Sequence, residues 1–112
     1  MKIDEFMVKN EIVIFVEVDL KYKRFNIRKR DVTMESYDLF EQIVLYSSIE
    51  DLKDNVSGQL LPRIWTQGNT KCIFSKPDEE RIIAIFYDKP LDAKDNYFFA
   101  EQMDLQLKEL FG

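Results

Sequence analysis

The residue types that most often carry catalysis are sparse in this sequence of 112 residues. It contains no histidine, which removes the usual general base near neutral pH and the usual partner of a nucleophilic serine or cysteine. The commonest zinc ligand is absent for the same reason. The single cysteine, Cys72, precedes Ile73 and Phe74, a setting typical of a buried thiol rather than a nucleophile. We therefore predict no catalytic residue and no zinc site.

Phosphate-binding and cation-binding patterns are equally weak. The three glycines, at positions 58, 68 and 112, are too far apart for a GxGxxG or Walker loop. The acidic pairs Glu79-Glu80 and Asp92 with Asp95 have the chemistry of divalent-cation ligands, but a solvated turn and a helix start explain them more simply. The expectation is a protein without cofactor, bound metal or enzymatic activity.

The most polarised segment of the chain is basic. It covers residues 21–30, and six of these ten residues are cationic: Lys21, Lys23, Arg24, Arg28, Lys29 and Arg30. On a strand, Tyr22, Arg24 and Arg28 would share one face, which suits acidic protein surface, phosphates or lipid headgroups. The alternative is that these charges keep an edge strand soluble and discourage sheet-to-sheet aggregation.

Two apolar features are candidates for binding a partner. Trp65 is the only tryptophan, a residue type enriched among those that dominate binding energy, although a core role explains it more simply. The C-terminal segment has more apolar residues than one buried helix stripe needs: Tyr97, Phe98, Phe99, Leu105 and Phe111. From that surplus we select Phe98 and Leu105 as partner-binding candidates, the alternative being a wider intramolecular core.

Alternation and β-branched content predict the strands that would carry these residues. The predicted strands cover residues 11–20, 22–29, 60–66, 70–75 and 81–87. The last is apolar at every position after Arg81, which is typical of a central strand covered on both faces. Gln67-Gly68-Asn69 has the composition of a tight hairpin turn.

Two helices complete the predicted order. One starts at a capping residue near 31–33 and ends at Ser57-Gly58, and the other runs from Asp92 to Phe111. Ser47 followed by Glu50 fits a capping box, so the first helix is either continuous or broken at Ser47-Ser48. The predicted fold is α+β, with a five-stranded antiparallel sheet in the order β-β-α-β-β-β-α and helices packed on the sheet.

Composition predicts one folded domain over residues 1–112. Apolar residues make up 46% of the chain, and only three glycines and three prolines are present, which argues against disorder and linkers. A net charge of −5 argues against nucleic-acid binding. Short apolar runs, an acidic start and a lone cysteine predict a cytoplasmic protein without a membrane span. The basic segment is compatible with peripheral membrane association.

In its order of elements the chain resembles the longin and roadblock families. These share a profilin-like arrangement of a five-stranded antiparallel sheet with helices packed on it. The resemblance is carried by the turn at Thr66-Gln67-Gly68-Asn69, the apolar strand between Glu80 and Asp88, and the aromatic helix segment Tyr97 to Gln102. Roadblock proteins also have a helix before the first strand, for which the ten residues here leave little room.

The expected function is that of a non-catalytic protein-interaction module that dimerises or docks in a larger assembly. The family resemblance implies scaffolding or regulation of small GTPases, or a role in vesicle traffic. The alternative is an acidic immunity or inhibitor protein that neutralises a basic toxin or nuclease, because acidity and aromatic content suit electrostatically steered capture. In both cases the partner is a protein, either another chain or a second copy.

Overall fold

The computed structural model describes residues 2–112, and its largest element is one antiparallel sheet. The strands are β1 (Ile14–Asp19), β2 (Arg24–Lys29), β3 (Arg63–Gln67), β4 (Thr70–Asp78) and β5 (Arg81–Asp88). They lie in the spatial order β2-β1-β5-β4-β3, so β2 and β3 form the two edges. The predicted five-stranded antiparallel sheet is confirmed.

Helices cover both faces of this sheet. They are α1 (Ile3–Asn10), α2 (Tyr37–Phe40), which continues as a π-helical turn (Glu41–Leu45), α3 (Ile49–Val56) and α4 (Ala93–Phe111). One face packs against α2, the π-helical turn and α3, and the other against α1 and α4. The α+β class is therefore confirmed, whereas the predicted order β-β-α-β-β-β-α is only partly correct. None of the helices in residues 2–112 combines the length and apolar character needed to cross a membrane.

The central strand is β5, as its uninterrupted apolar sequence predicted. Residues 82–87 are each at most 1% exposed, because β1 and β4 flank β5 and helices cover both of its faces. Ile82, Ala84 and Phe86 face α2 and α3, while Ile83, Ile85 and Tyr87 face α1 and α4. Full burial stabilises the fold by about 1.5–3 kcal/mol per large apolar side chain, so both layers depend on this strand.

The N-terminal helix α1 is an element that the sequence did not predict. Eight residues are too few for a stable isolated helix, but α1 buries Phe6 and Met7 against the sheet. Phe6 meets Phe15 edge to face, with 5.9 Å between ring centroids. The helix ends where Glu11 adopts a left-handed conformation and its N–H reaches the carbonyls of Met7 and Val8. Tertiary packing, rather than local propensity, forms this helix.

The first predicted helix is broken, which was one of the two alternatives. It starts at Tyr37 instead of residues 31–33, because the loop before it is tied to distant strands. The N–H of Glu35 donates to Asp88 Oδ2 at 2.6 Å and the N–H of Ser36 donates to Thr70 Oγ1 at 2.9 Å. The break is followed by a capping box formed by Ser48 and Asp51, one residue later than predicted.

Several strand ends differ from the prediction by a few residues. β1 begins at Ile14 rather than at residue 11, β3 begins after Pro62, and β4 continues through Pro77 to Asp78. The register is irregular between Ser75 and Asp78 because a proline cannot donate a ladder hydrogen bond. The predicted hairpin between β3 and β4 is confirmed: Gly68 and Asn69 form its two-residue loop, and Gly68 has φ 61°, which glycine adopts without strain.

Candidate protein-binding surface

The outer face of α4 exposes three large apolar side chains. Tyr97 is 55% exposed, Phe98 64% and Leu105 56%, whereas Ala100, Met103 and Leu107 on the inner face are buried. The helix begins at Asp92, whose side chain accepts from the N–H of Asp95 at 2.8 Å. Of the five apolar residues predicted as surplus, Phe99 and Phe111 instead pack against the core.

A groove runs beside this helix face. It has a volume of about 260 Å³ and is lined by Leu61, Pro62, Tyr97, Glu101, Asp104 and Leu105. Leu60, next to the groove lining in sequence, is 94% exposed. The loop before β3 and the outer face of α4 therefore form one surface, in which apolar side chains lie beside two carboxylates. The surface combines residues far apart in the chain, and the sequence pattern indicated only the helical part.

Asp104 anchors α4 under the groove. The buried hydroxyl of Ser75 donates to Asp104 Oδ1 at 2.5 Å, and Lys108 Nζ lies 3.0 Å from Asp104 Oδ2. Asp104 is only 7% exposed, and a buried charge needs partners. Each of its two carboxylate oxygens has one. This contact is not predictable from the sequence, because Ser75 and Asp104 meet only once α4 packs on β4.

Glu101 is the exposed carboxylate of the groove. The neighbouring Glu101 carboxylate raises the pKa of Tyr97, first as a hydrogen-bond acceptor for its hydroxyl and then through its charge. Among residues 2–112 no cationic side chain lies within 4.0 Å of the Glu101 carboxylate. The groove therefore presents an acid to any partner without an internal counter-charge.

Trp65 lies on the edge strand β3, away from the α4 groove. It is partly buried and packs with the core cluster of α2 and α3, on the opposite face of the sheet. The Arg63 guanidinium lies over its ring at 4.5 Å from the centroid. Within residues 2–112, Trp65 Nε1 has no hydrogen-bond acceptor. Trp65 is thus not brought together with Phe98 and Leu105.

The basic segment forms the other edge of the sheet. Arg24 and Arg28 share a face of β2, but Tyr22 lies in the turn before the strand, which corrects the prediction that all three stand on it. The Arg24 guanidinium is 5.2 Å from the Tyr22 ring centroid. Arg28 Nη1 donates to Asp4 Oδ1 on α1 at 3.1 Å. Part of the basic charge is therefore neutralised within the molecule.

The remaining candidates for chemistry have structural explanations. Cys72 is fully buried in the sheet, and burial raises the pKa of its thiol well above the usual value, so it is not a reactive thiolate. Asp92 and Asp95 form the N-terminal cap of α4. In the part of the chain that the structure describes, no group of three or more potential metal ligands comes together.

Comparison with protein-family models, with curated proteins and with solved structures finds no match to this chain.

Proposed function

We propose that this chain is a non-catalytic protein-interaction module that docks in a larger assembly, through the outer face of α4. The observation that carries this proposal is the exposure of Tyr97, Phe98 and Leu105 on one helix face. Contiguous exposed apolar surface is costly in water and marks association sites on soluble domains. Phe98 and Leu105 are its main contacts, and the partner is another protein or a second copy of the chain.

The small-GTPase part of the proposal rests on the resemblance to longin and roadblock domains. Helix α1 precedes the first strand, which is the roadblock feature for which the first ten residues leave little room. This supports a roadblock-type arrangement, and with it a cytoplasmic scaffold or regulator of small GTPases or vesicle traffic. Fold analogy gives no residue-level contact to a GTPase, so the proposal assigns none.

One observation favours the alternative proposal of an acidic inhibitor. The groove beside α4 presents the exposed Glu101 carboxylate, and no basic side chain lines it. A basic toxin or nuclease would be attracted to such a surface. A gene for a basic toxin next to the gene for this chain would favour the inhibitor over the scaffold, since immunity proteins neutralise a specific toxin.

Affinity purification from the source cell, with quantitative mass spectrometry, tests the shared claim. We compare the wild type with Leu105→Asp and with the matched control Val8→Asp, which places the same charge on an exposed apolar position of α1. A partner recovered by the wild type and by Val8→Asp, and lost with Leu105→Asp, supports the proposal. Equal recovery by all three proteins, or no specific partner together with a strictly monomeric chain in light scattering, contradicts it.

A further inference from the structure

The three exposed apolar side chains of α4 surround a carboxylate. Tyr97 and Phe98 precede Glu101 by four and three residues, and Leu105 follows it by four, so all are its neighbours on the helix surface. A wholly apolar partner that covered this face would remove the Glu101 carboxylate from water without providing a counter-charge, which is unfavourable. The occupant of the groove therefore has to bring a cation to this position.

A second copy of the chain fits this face poorly. A symmetric antiparallel pairing of two α4 helices that placed Tyr97 of one copy on Leu105 of the other would put the two Glu101 side chains opposite each other. Like charges at the centre of an interface oppose association. Lys108 offers no relief, because its ammonium group already lies 3.0 Å from Asp104.

The spacing of the apolar residues indicates the secondary structure of the partner. Phe98 and Leu105 are seven residues apart, which corresponds to about 10 Å along a helix. Anchors at i, i+4 and i+7 of an amphipathic helix cover the same distance. The groove between α4 and Leu61-Pro62, in which apolar side chains lie beside Glu101, therefore suits an amphipathic helix laid along α4.

The geometry points to a basic amphipathic helix, with Lys or Arg between its apolar anchors, as the partner bound in the α4 groove. The cation would contact Glu101, and the apolar anchors would cover Tyr97, Phe98 and Leu105. This inference rests on the proposed function and adds the chemistry of the partner to it. The net charge of −5 also favours fast association with a basic segment.

Fluorescence anisotropy with two designed peptides tests the inference. Each peptide is about 18 residues long, which allows a stable helix, with leucine at i, i+4 and i+7. The basic peptide has arginine between the leucines and the acidic peptide has glutamate at the same positions. They are titrated with the wild type, with Glu101→Lys and with Glu50→Lys, an exposed position on α3 across the sheet that changes the net charge equally.

The wild type is expected to prefer the basic peptide, and Glu101→Lys to weaken that binding about tenfold while strengthening binding of the acidic peptide. Glu50→Lys should change neither affinity by more than about twofold, since it acts only through net charge. Equal effects of the two reversals, or no preference of the wild type for the basic peptide, overturn the inference. If the inference is overturned but Leu105→Asp still abolishes partner recovery from the cell, α4 remains the interaction surface and only the inferred chemistry of the partner is wrong.

Discussion

Asp104 is the residue that ties the candidate surface to the sheet. Asp104→Ala leaves the buried Ser75 hydroxyl without its acceptor, so we expect it to lower the free energy of unfolding by about 1–3 kcal/mol. Urea denaturation of the wild type and the variant measures this. The control Lys108→Met removes only the partly exposed ion pair and should cost no more than about 1 kcal/mol. A larger loss in the control than in Asp104→Ala would contradict the assignment.

Tyr87 makes the free energy of unfolding depend on pH in the alkaline range. Burial, followed by the nearby Cys72, raises the pKa of its hydroxyl, which donates to Asn96 Oδ1 at 2.6 Å. In the unfolded chain the tyrosine hydroxyl loses its proton at about pH 10, whereas in the folded chain it keeps this proton. Above that pH the unfolded state binds fewer protons, so the free energy of unfolding falls as pH rises, by up to about 1.4 kcal/mol per pH unit.

Tyr87→Phe removes this titrating group and should flatten the pH dependence. We expect urea unfolding at about pH 9 and about pH 11 to show a fall in the free energy of unfolding that is about 1 kcal/mol larger for the wild type. Both proteins keep Cys72, whose pKa is also raised by burial, so its contribution cancels in the comparison. Parallel pH dependences would show that Tyr87 is not protected from ionisation in the folded state.

Two neighbouring serines, Ser47 and Ser48, are the predicted and the observed capping residues at the start of α3. Ser48 accepts from the N–H of Asp51 at 3.1 Å, whereas the Ser47 hydroxyl donates to the Gln42 carbonyl at 3.3 Å. Ser48→Ala should therefore lower the free energy of unfolding by about 1 kcal/mol. Ser47→Ala should change it by less than about 0.5 kcal/mol. A reversed order in denaturation experiments would favour the sequence-based cap.

Local sequence patterns predicted most elements, but not the elements that depend on contacts between residues distant in the chain. The apolar run of 82–87 and the Gly68 turn determine β5 and the β3–β4 hairpin by themselves, so both were predictable. Helix α1 was not, because its stability comes from packing on the sheet, where Phe6 contacts Phe15 of β1. The start of α2 at Tyr37 likewise depends on hydrogen bonds of the preceding loop to Thr70 and Asp88.

The candidate site was predictable only in its helical part. The spacing of Phe98 and Leu105 indicates a shared outer face of α4 from the sequence alone. Leu61 and Pro62 line the groove with Leu105 because the chain before β3 passes beside α4, and Ser75 meets Asp104 because α4 packs on β4. No periodicity in the chain reports such contacts between residues distant in sequence.

For the whole molecule, the two candidate surfaces belong to different parts of the sheet. The basic strand β2 is one edge, and α4 packs chiefly on β4, beyond β1 and β5. Arg28 is paired with Asp4, which agrees with a solubilising role for β2. In the α4 groove Asp104 is paired with Lys108, but among residues 2–112 the exposed Glu101 has no ion-pair partner. This difference makes α4 the stronger candidate for binding a partner.

Photocrosslinking inside the source cell tests most directly whether α4 is an association surface. A benzophenone amino acid replaces Phe98 in one protein and Val8, equally exposed on α1, in another. If α4 is the association surface, position 98 gives a light-dependent adduct with one discrete protein and position 8 gives none. Adducts of equal yield from both positions, or none from position 98, would contradict it.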